Sequence, residues 1–217
     1  MSTAPLSAEN LGFGYAGTPV LRDVTLHATP ASMLAVTGPN GSGKSTLLHL
    51  LAGVGQPTAG HVHRAPGTRI ALLPQRTSDI DALPLTVAEC VRIGRFTPGR
   101  WLRRLTRQDR AAVPAVMERL EIAHLAHRRL RELSGGQRQR TLLAQAFAQE
   151  ADVYILDEPT AALDARTRRR VHDLLLERVH AGAAVIIASH DDEEAALADR
   201  ALRLGSPEPT AVPKVDL

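Results

Sequence analysis

The sequence predicts an α/β domain built on a parallel sheet, opened by a small antiparallel sheet and interrupted by a helical subdomain. Three observations predict it: short apolar bursts up to Thr29, alternating strand and helix signals on both sides of the middle, and a helical pattern from Thr86 to Gln149 in which β-branched residues thin out.

Leu11-Gly-Phe-Gly-Tyr15 and Val20-Leu-Arg-Asp-Val-Thr-Leu26 flank Gly17-Thr-Pro19, which reads as a hairpin. Met33 to Thr37 reads as a buried strand, and Ser45 to Gly53 carries leucines at helical spacing up to a glycine stop. Two short strands follow around His61-Val-His63 and Arg69 to Leu73, punctuated by Pro57, Gly60, Pro66 and Gly67. Pro114 falls inside an apparent helix from Thr106 to Leu120, so that helix either starts at the proline or kinks there. Strand signal returns at Asp152 to Leu156 and Ala183 to Ser189, separated by a helix over Arg166 to His180 and followed by another near Asp191. We therefore expect one domain over 1–217, a helical subdomain over 76–148, and a loose tail over 206–217, where three prolines interrupt any periodicity.

Composition narrows the class. The 217 residues are 44% hydrophobic and 23% charged, with a mean hydropathy of −0.11, which suits a soluble globular chain. No apolar run approaches the roughly 18 residues a spanning helix needs. The first ten residues lack a basic and an apolar region, so we expect no secretory signal and a cytoplasmic address. Cys90 stands alone and reads as a small buried hydrophobe. A net charge of +3 from 26 basic and 23 acidic residues is too mild to name a partner.

The strongest chemical signal is the run Gly38, Pro39, Asn40, Gly41, Ser42, Gly43, Lys44, Ser45, which fits G-x-x-x-x-G-K-[ST] between a strand and a helix. Its glycines let backbone amides turn towards phosphates, and the helix start adds its positive dipole end, with Thr46 in the first turn. Lys44 supplies a full charge near the β and γ phosphates, and the Ser45 hydroxyl is an oxygen ligand of the kind Mg²⁺ prefers. ATP and Mg²⁺ are thus the expected cofactors.

Val153-Tyr-Ile-Leu156 leads into Asp157 and Glu158, as a buried strand delivering two carboxylates at its end. Neighbouring residues on a strand face opposite ways, so Asp157 suits the metal side and Glu158 an attacking water. A solvated acidic pair at a helix start is the plainer alternative.

Leu133, Ser134, Gly135, Gly136 and Gln137 open a helix upstream of Asp157, with Ser134 as a suitable cap and two glycines exposing amides. This run resembles the signature motif of the ABC ATPases, and with the two preceding motifs the resemblance covers nearly the whole chain. It implies a P-loop NTPase with a RecA-like parallel-sheet core, an N-terminal antiparallel β-subdomain and an ABC α-helical subdomain. It also implies that Gln75 is the glutamine that touches Mg²⁺, that Ala162-Leu-Asp164 is the D-loop, that His190 is the switch histidine on the γ-phosphate, and that Tyr15 stacks on adenine. In that family two chains close over two nucleotides, the signature of one binding the ATP of the other.

The resemblance implies further partners: a transmembrane permease, a second copy of the chain, and indirectly a solute-binding protein, with the chain peripheral on the cytoplasmic face. Asp81 to Arg95, with Pro84-Leu-Thr-Val87, is similar to a segment of zinc or manganese importers and also of iron-siderophore and cobalamin importers. Gln137 to Ala146 and Ala148-Gln-Glu150 tilt towards the zinc and manganese group. A soluble ABC ATPase acting on DNA is the rival class; its long insertions between the nucleotide motifs are missing here, so no nucleic-acid partner is expected. A binder without turnover is disfavoured by Glu158 and His190. The D-loop departs from the family at Ala161-Ala162, where a serine often stands. Six arginines around Trp101, between Arg95 and Arg110, suit lipid headgroups, a permease loop or simply solvent. His61, His63, His124 and His127 are read as solvated rather than metal-ligating.

Overall fold

The computed structural model describes residues 4–15, 17–75, 83–96, 106–205 and 210–213. The stretch around Trp101 and residues 81–82 of the segment ahead of Arg95 lie outside the described residues.

The chain divides into two compact units: Met1–Gln75 with Ala151–Glu158 and Leu175–Leu217, and Arg76–Glu150 with Pro159–Leu174. The first unit carries both sheets. Strands β1 (Leu6–Tyr15), β2 (Thr18–Ala28) and β4 (Ala59–Arg64) form an antiparallel sheet in the order β2-β1-β4. Strands β3 (Ser32–Thr37), β5 (Ile70–Leu73), β6 (Val153–Asp157), β7 (Ala184–Ala188), β8 (Arg200–Arg203) and β9 (Thr210–Pro213) form the second, in the order β5-β6-β7-β3-β8-β9. All its pairings are parallel except β8 with β9.

Local chemistry explains these choices. Every residue of β6 and β7 is buried, which is why both read as unbroken apolar runs instead of alternating ones. Helix α1 (Lys44–Ala52) buries Leu47, Leu48, Leu50 and Leu51 in one core with Leu11, Leu21 and Leu26 of the antiparallel sheet and Val36, Ile155 and Ile186 of the parallel one. Fully burying a leucine contributes about 1.5–3 kcal/mol, so these four side chains anchor the helix that follows the phosphate-binding loop. Strands β8 and β9 were not legible in the sequence. The expected loose tail is corrected at Thr210–Pro213, where backbone pairing with β8 supplies order that side-chain periodicity does not advertise, and an edge position tolerates Pro213.

The second unit is helical: α2 (Val87–Ile93), α3 (Arg107–Arg119) and α4 (Gly135–Ala148). Each begins with a reciprocal capping box, Thr86 with Glu89, Thr106 with Asp109, and Ser134 with Gln137. Helix α3 therefore starts at its Thr106 cap and runs through Pro114, which rules out one of the two alternatives, a start at the proline. Both Pro114 and Arg110, whose carbonyl loses its helical donor, are exposed, so water can satisfy what the proline removes. Gly94 is required by close packing, since a Cβ there would collide with the Gln145 carbonyl on α4. The adjacent Arg95 donates to Asp109 at 3.0 Å, to the Ala148 carbonyl at 2.6 Å and to Glu150 at 2.8 Å, tying the ends of three helices together. Cys90 is buried on α2, where loss of solvent pushes its thiol up to about 11.

Helix α5 (Ala165–His180) and helix α6 (Asp192–Leu197), capped by Asp191, complete the chain. Among the described residues, no helix is long and apolar enough to cross a membrane.

Candidate functional site

In the first unit the predicted residues gather at the carboxyl ends of four neighbouring parallel strands. Gln75 follows β5, Asp157 ends β6 with Glu158 after it, His190 follows β7, and the glycine-rich loop follows β3. Crevices at strand carboxyl ends are where open α/β sheets bind ligands.

The loop from Gly38 to Gly43 turns through left-handed backbone, with φ of 80° at Gly41 and 96° at Gly43, conformations that a side chain would strain. Gly43 is the N-cap of α1 and, among the described residues, no side chain caps that helix, so its first amides are open to an anion. Lys44 is only 6% exposed and folds back to donate to the carbonyls of Gly38 at 2.7 Å and Pro39 at 3.1 Å. It thus holds the loop in shape while keeping its charge at the loop's mouth. Among the described residues the buried Ser42 hydroxyl oxygen has no partner. Asn40 and Gly41 are exposed, and Thr46 is half-buried in the first turn of α1.

Asp157 is the residue on which the fit to a metal turns. It is 2% exposed, and among the described residues neither carboxylate oxygen makes a hydrogen bond of good geometry. A buried carboxylate is costly unless something positive compensates it. Burial pushes its pKa up, and the Ser45 hydroxyl, His49 and Lys44 offset that only partly. Ser45 itself donates to the side-chain oxygen of Gln75 at 3.4 Å. One hydroxyl, one amide oxygen and one orphaned carboxylate form a hard-oxygen donor set, and these residues fit Mg²⁺.

Glu158 follows Asp157 just beyond the end of β6. Its amide donates to the Ala188 carbonyl at 2.9 Å, and its φ of 48° lies in the left-handed region, a strain of about 1–3 kcal/mol for a non-glycine residue. The side chain is 14% exposed, and His190 Nδ1 lies 3.3 Å from its Oε1. The resemblance assigns His190 to the γ-phosphate; in the structure it meets Glu158, at the mouth of the crevice.

Tyr15 is 61% exposed at the end of β1, which removes core packing as its role, and its ring meets Phe13 edge-on at 5.0 Å. An exposed flat ring held by a second aromatic is suited to stacking on a base.

In the second unit the Ser134 oxygen accepts from the Gln137 amide at 3.3 Å while the Gln137 side-chain oxygen accepts from the Ser134 amide at 3.0 Å. The Ser134 proton remains available to donate. Ser134 and Gly135 are exposed, and a Cβ on Gly135 would meet nothing within 4 Å, so the tip of α4 is open. A Cβ on Gly136 would lie 3.4 Å from the Ala162 carbonyl, which places the segment after Pro159 against the first turn of α4. Asp164 accepts from the Thr167 amide at 2.9 Å and hydroxyl at 3.0 Å, bonds that hold its carboxyl below the usual range. It serves here as a cap of α5. Sequence reasoning missed Gln139, whose amide donates to the Pro159 carbonyl at 3.0 Å; nothing in its sequence position announces that bond.

His61 lies 3.4 Å from Glu9 on the antiparallel sheet and is well exposed. Among the described residues, no three His, Cys, Asp or Glu side chains are grouped to hold a metal.

Comparison with known proteins gives a consistent picture. The family profile described as ABC transporter matches residues 21–161. The high-affinity zinc uptake system ATP-binding protein of Bacillus subtilis is 34% identical over 208 residues, 92% of this chain and 90% of that protein. The zinc import ATP-binding protein of Cereibacter sphaeroides is 40% identical over 187 residues, 86% of this chain and 72% of its own. The manganese transport system ATP-binding protein of Bacillus subtilis is 34% identical, covering 86% and 77%. Among solved structures, an inward-facing transporter described as metal-chelate ABC type superposes with a TM-score of 0.80 at 31% identity, covering 98% of this chain and 84% of that one. A dimeric bacterial ABC transporter cassette superposes with a TM-score of 0.76 at 25% identity, covering 92% and 94%.

Proposed function

This chain belongs to the ABC transporter family, as an ATP-binding subunit that hydrolyses ATP, and from that premise we propose that it powers a zinc or manganese importer from the cytoplasmic face of a membrane. Two copies act together on a permease, which a solute-binding protein supplies with cargo.

The observation that carries the chemistry is the orphaned Asp157 carboxylate beside the Ser45–Gln75 pair, at the foot of an uncapped helix. Ser45, Gln75 and Asp157 would hold Mg²⁺, which when bound with ATP screens the charge building on the β and γ phosphate oxygens. The amides from Gly41 to Thr46 cradle the phosphates, Lys44 exchanges its loop carbonyls for phosphate oxygens, and Tyr15 stacks on adenine. Glu158 orients the attacking water and accepts its proton, and His190, within 3.3 Å of Glu158, steadies that carboxylate and reaches the γ-phosphate. The open end of α4, with Ser134, Gly135, Gly136 and Gln137, meets the triphosphate held by the other copy, and Asp164 lies in the loop that follows Pro159. Losing the γ-phosphate removes the charge both copies share, and the pair opens.

Likeness to the metal-chelate type transporter at 31% identity favours a second reading, in which the cargo is a chelated metal. Deleting the reading frame in its host and measuring uptake of labelled zinc, manganese and ferric siderophore separates the two. Loss of zinc or manganese uptake alone supports the first, loss of siderophore uptake alone the second, and no loss of any contradicts both.

A further inference from the structure

We infer that Gly205 is a positioning residue for ATP binding: its bare backbone, at the end of β8, is the seat on which Pro39 and Ser42 of the phosphate-binding loop rest, and it sets where the amides of that loop point. The inference rests on the reading of Gly38 to Ser45 as the loop that holds the phosphates.

Strand β8 runs parallel to β3 with Arg203 opposite Thr37, so the two strands leave the sheet side by side at the end where the loop begins. The pairing continues one residue further, as the Leu204 amide donates to the Thr37 carbonyl at 2.8 Å. Leu204 is buried in the same core as Leu47 and Leu48 of α1, so backbone and side chain both fix it. The loop passes over it so closely that a Cβ on Gly38 would lie 2.6 Å from the Leu204 carbonyl oxygen. Next in the chain, Gly205 lies against the turn that the Ser42 amide closes by donating to the Pro39 carbonyl at 3.2 Å. A Cβ on Gly205 would meet the Ser42 Cβ at 3.3 Å and the Pro39 ring at 3.4 Å.

Two devices therefore shape the loop. Lys44 braces it from inside, through the carbonyls of Gly38 and Pro39, but on the proposed function that brace is given up when the ammonium turns to phosphate oxygens. The Leu204–Gly205 seat stays. A side chain at position 205 has to lift Pro39 and Ser42 by a few tenths of an ångström, and the amides around them, from Gly41 to Lys44, move with them. Hydrogen bonds weaken as donors lose alignment with their acceptors. Because the loop grips the phosphates before and during the reaction alike, the loss falls on binding and leaves turnover at saturation alone.

The test compares purified chains carrying Gly205→Ala, Gly205→Asn, Pro39→Ala, Gly205→Ala with Pro39→Ala, and Lys44→Ala with the parent, in calorimetric ATP titration, steady-state phosphate release and thermal unfolding. Asparagine accepts the left-handed φ of 86° at Gly205 better than alanine does, yet both bring a Cβ. The expected result is ATP affinity and KM about tenfold weaker in both Gly205 variants, with kcat within about twofold and unfolding midpoints within about 4 °C of the parent. In the Pro39→Ala background the same Gly205→Ala change should weaken binding only about threefold, because part of the contact is gone. Parental KM in both Gly205 variants, beside a Lys44→Ala chain that no longer binds ATP, overturns this inference alone. So does a defect in Gly205→Ala that Gly205→Asn lacks, since backbone strain is then the cause, or one that Pro39→Ala leaves undiminished. A fall in kcat with unchanged KM also overturns it. Parental ATP binding in Lys44→Ala removes the reading of the loop and this inference with it.

Discussion

Helices α1 and α4 both begin in glycine-rich sequence, yet α1 has no side-chain cap whereas α4 closes its own end with reciprocal bonds between Ser134 and Gln137. The first end comes with a lysine folded over the loop and a buried, unpartnered carboxylate nearby; the second is exposed at its tip, with one hydroxyl proton to offer. An uncapped helix end is built around an anion it holds itself, and a self-satisfied one can wait in water for an anion delivered by another molecule. On the proposed function, that difference lets one chain carry two half-sites of unequal character.

The sharpest way to break the comparison is at the first end. Lys44→Ala should weaken ATP binding by at least about a hundredfold, read by calorimetric titration, because it removes both the charge and the brace on Gly38 and Pro39. Ser134→Ala should separate the two ends: ATP binding by the lone chain stays within about twofold, turnover falls by about a hundredfold, and the lost cap costs about 1 kcal/mol in denaturant unfolding. If Ser134→Ala instead abolished ATP binding by the monomer, the two ends would not be the separate half-sites described.

A third variant tests whether capped helices in the second unit are held by their boxes. The Thr106 and Arg95 bonds hold the Asp109 carboxyl well below the usual range. A depressed acid stabilises the fold above its unfolded pKa near 4 and loses that contribution as pH falls through its folded value. Asp109→Asn should therefore lower stability by about 2–4 kcal/mol at pH 7, and the gap to the parent should narrow as the pH drops below about 4, measured by urea unfolding across pH. The smallest effect is expected at Tyr15→Ala, which should weaken ATP binding about three- to tenfold, with Tyr15→Trp restoring it, in a fluorescent-nucleotide titration.

Much of this architecture could be read from the residues because local chemistry dictates it. The unbroken apolar runs of β6 and β7, the leucines of α1 and the Gly38–Ser45 spacing each have one physical solution. Other features are set by partners distant in sequence. Strand β8 pairs with β3 from more than 160 residues away, and its exposed arginines at positions 200 and 203 conceal the strand. Helix α3 tolerates Pro114 because both ends of the missing bond face water, which a one-dimensional pattern does not reveal. In the crevice, residue types were legible, but the strained φ of Glu158 and the Gln139 bond to Pro159 are properties of folded backbone alone.

The central claim is that one triphosphate is gripped by the α1 end of one copy and the α4 end of another. Analytical ultracentrifugation of Glu158→Gln with ATP and Mg²⁺ tests it most directly. The account predicts a dimer that forms with ATP, dissociates with ADP, and fails to form when Ser134→Ala is added. A Glu158→Gln chain that binds ATP stoichiometrically and sediments as a monomer would contradict it.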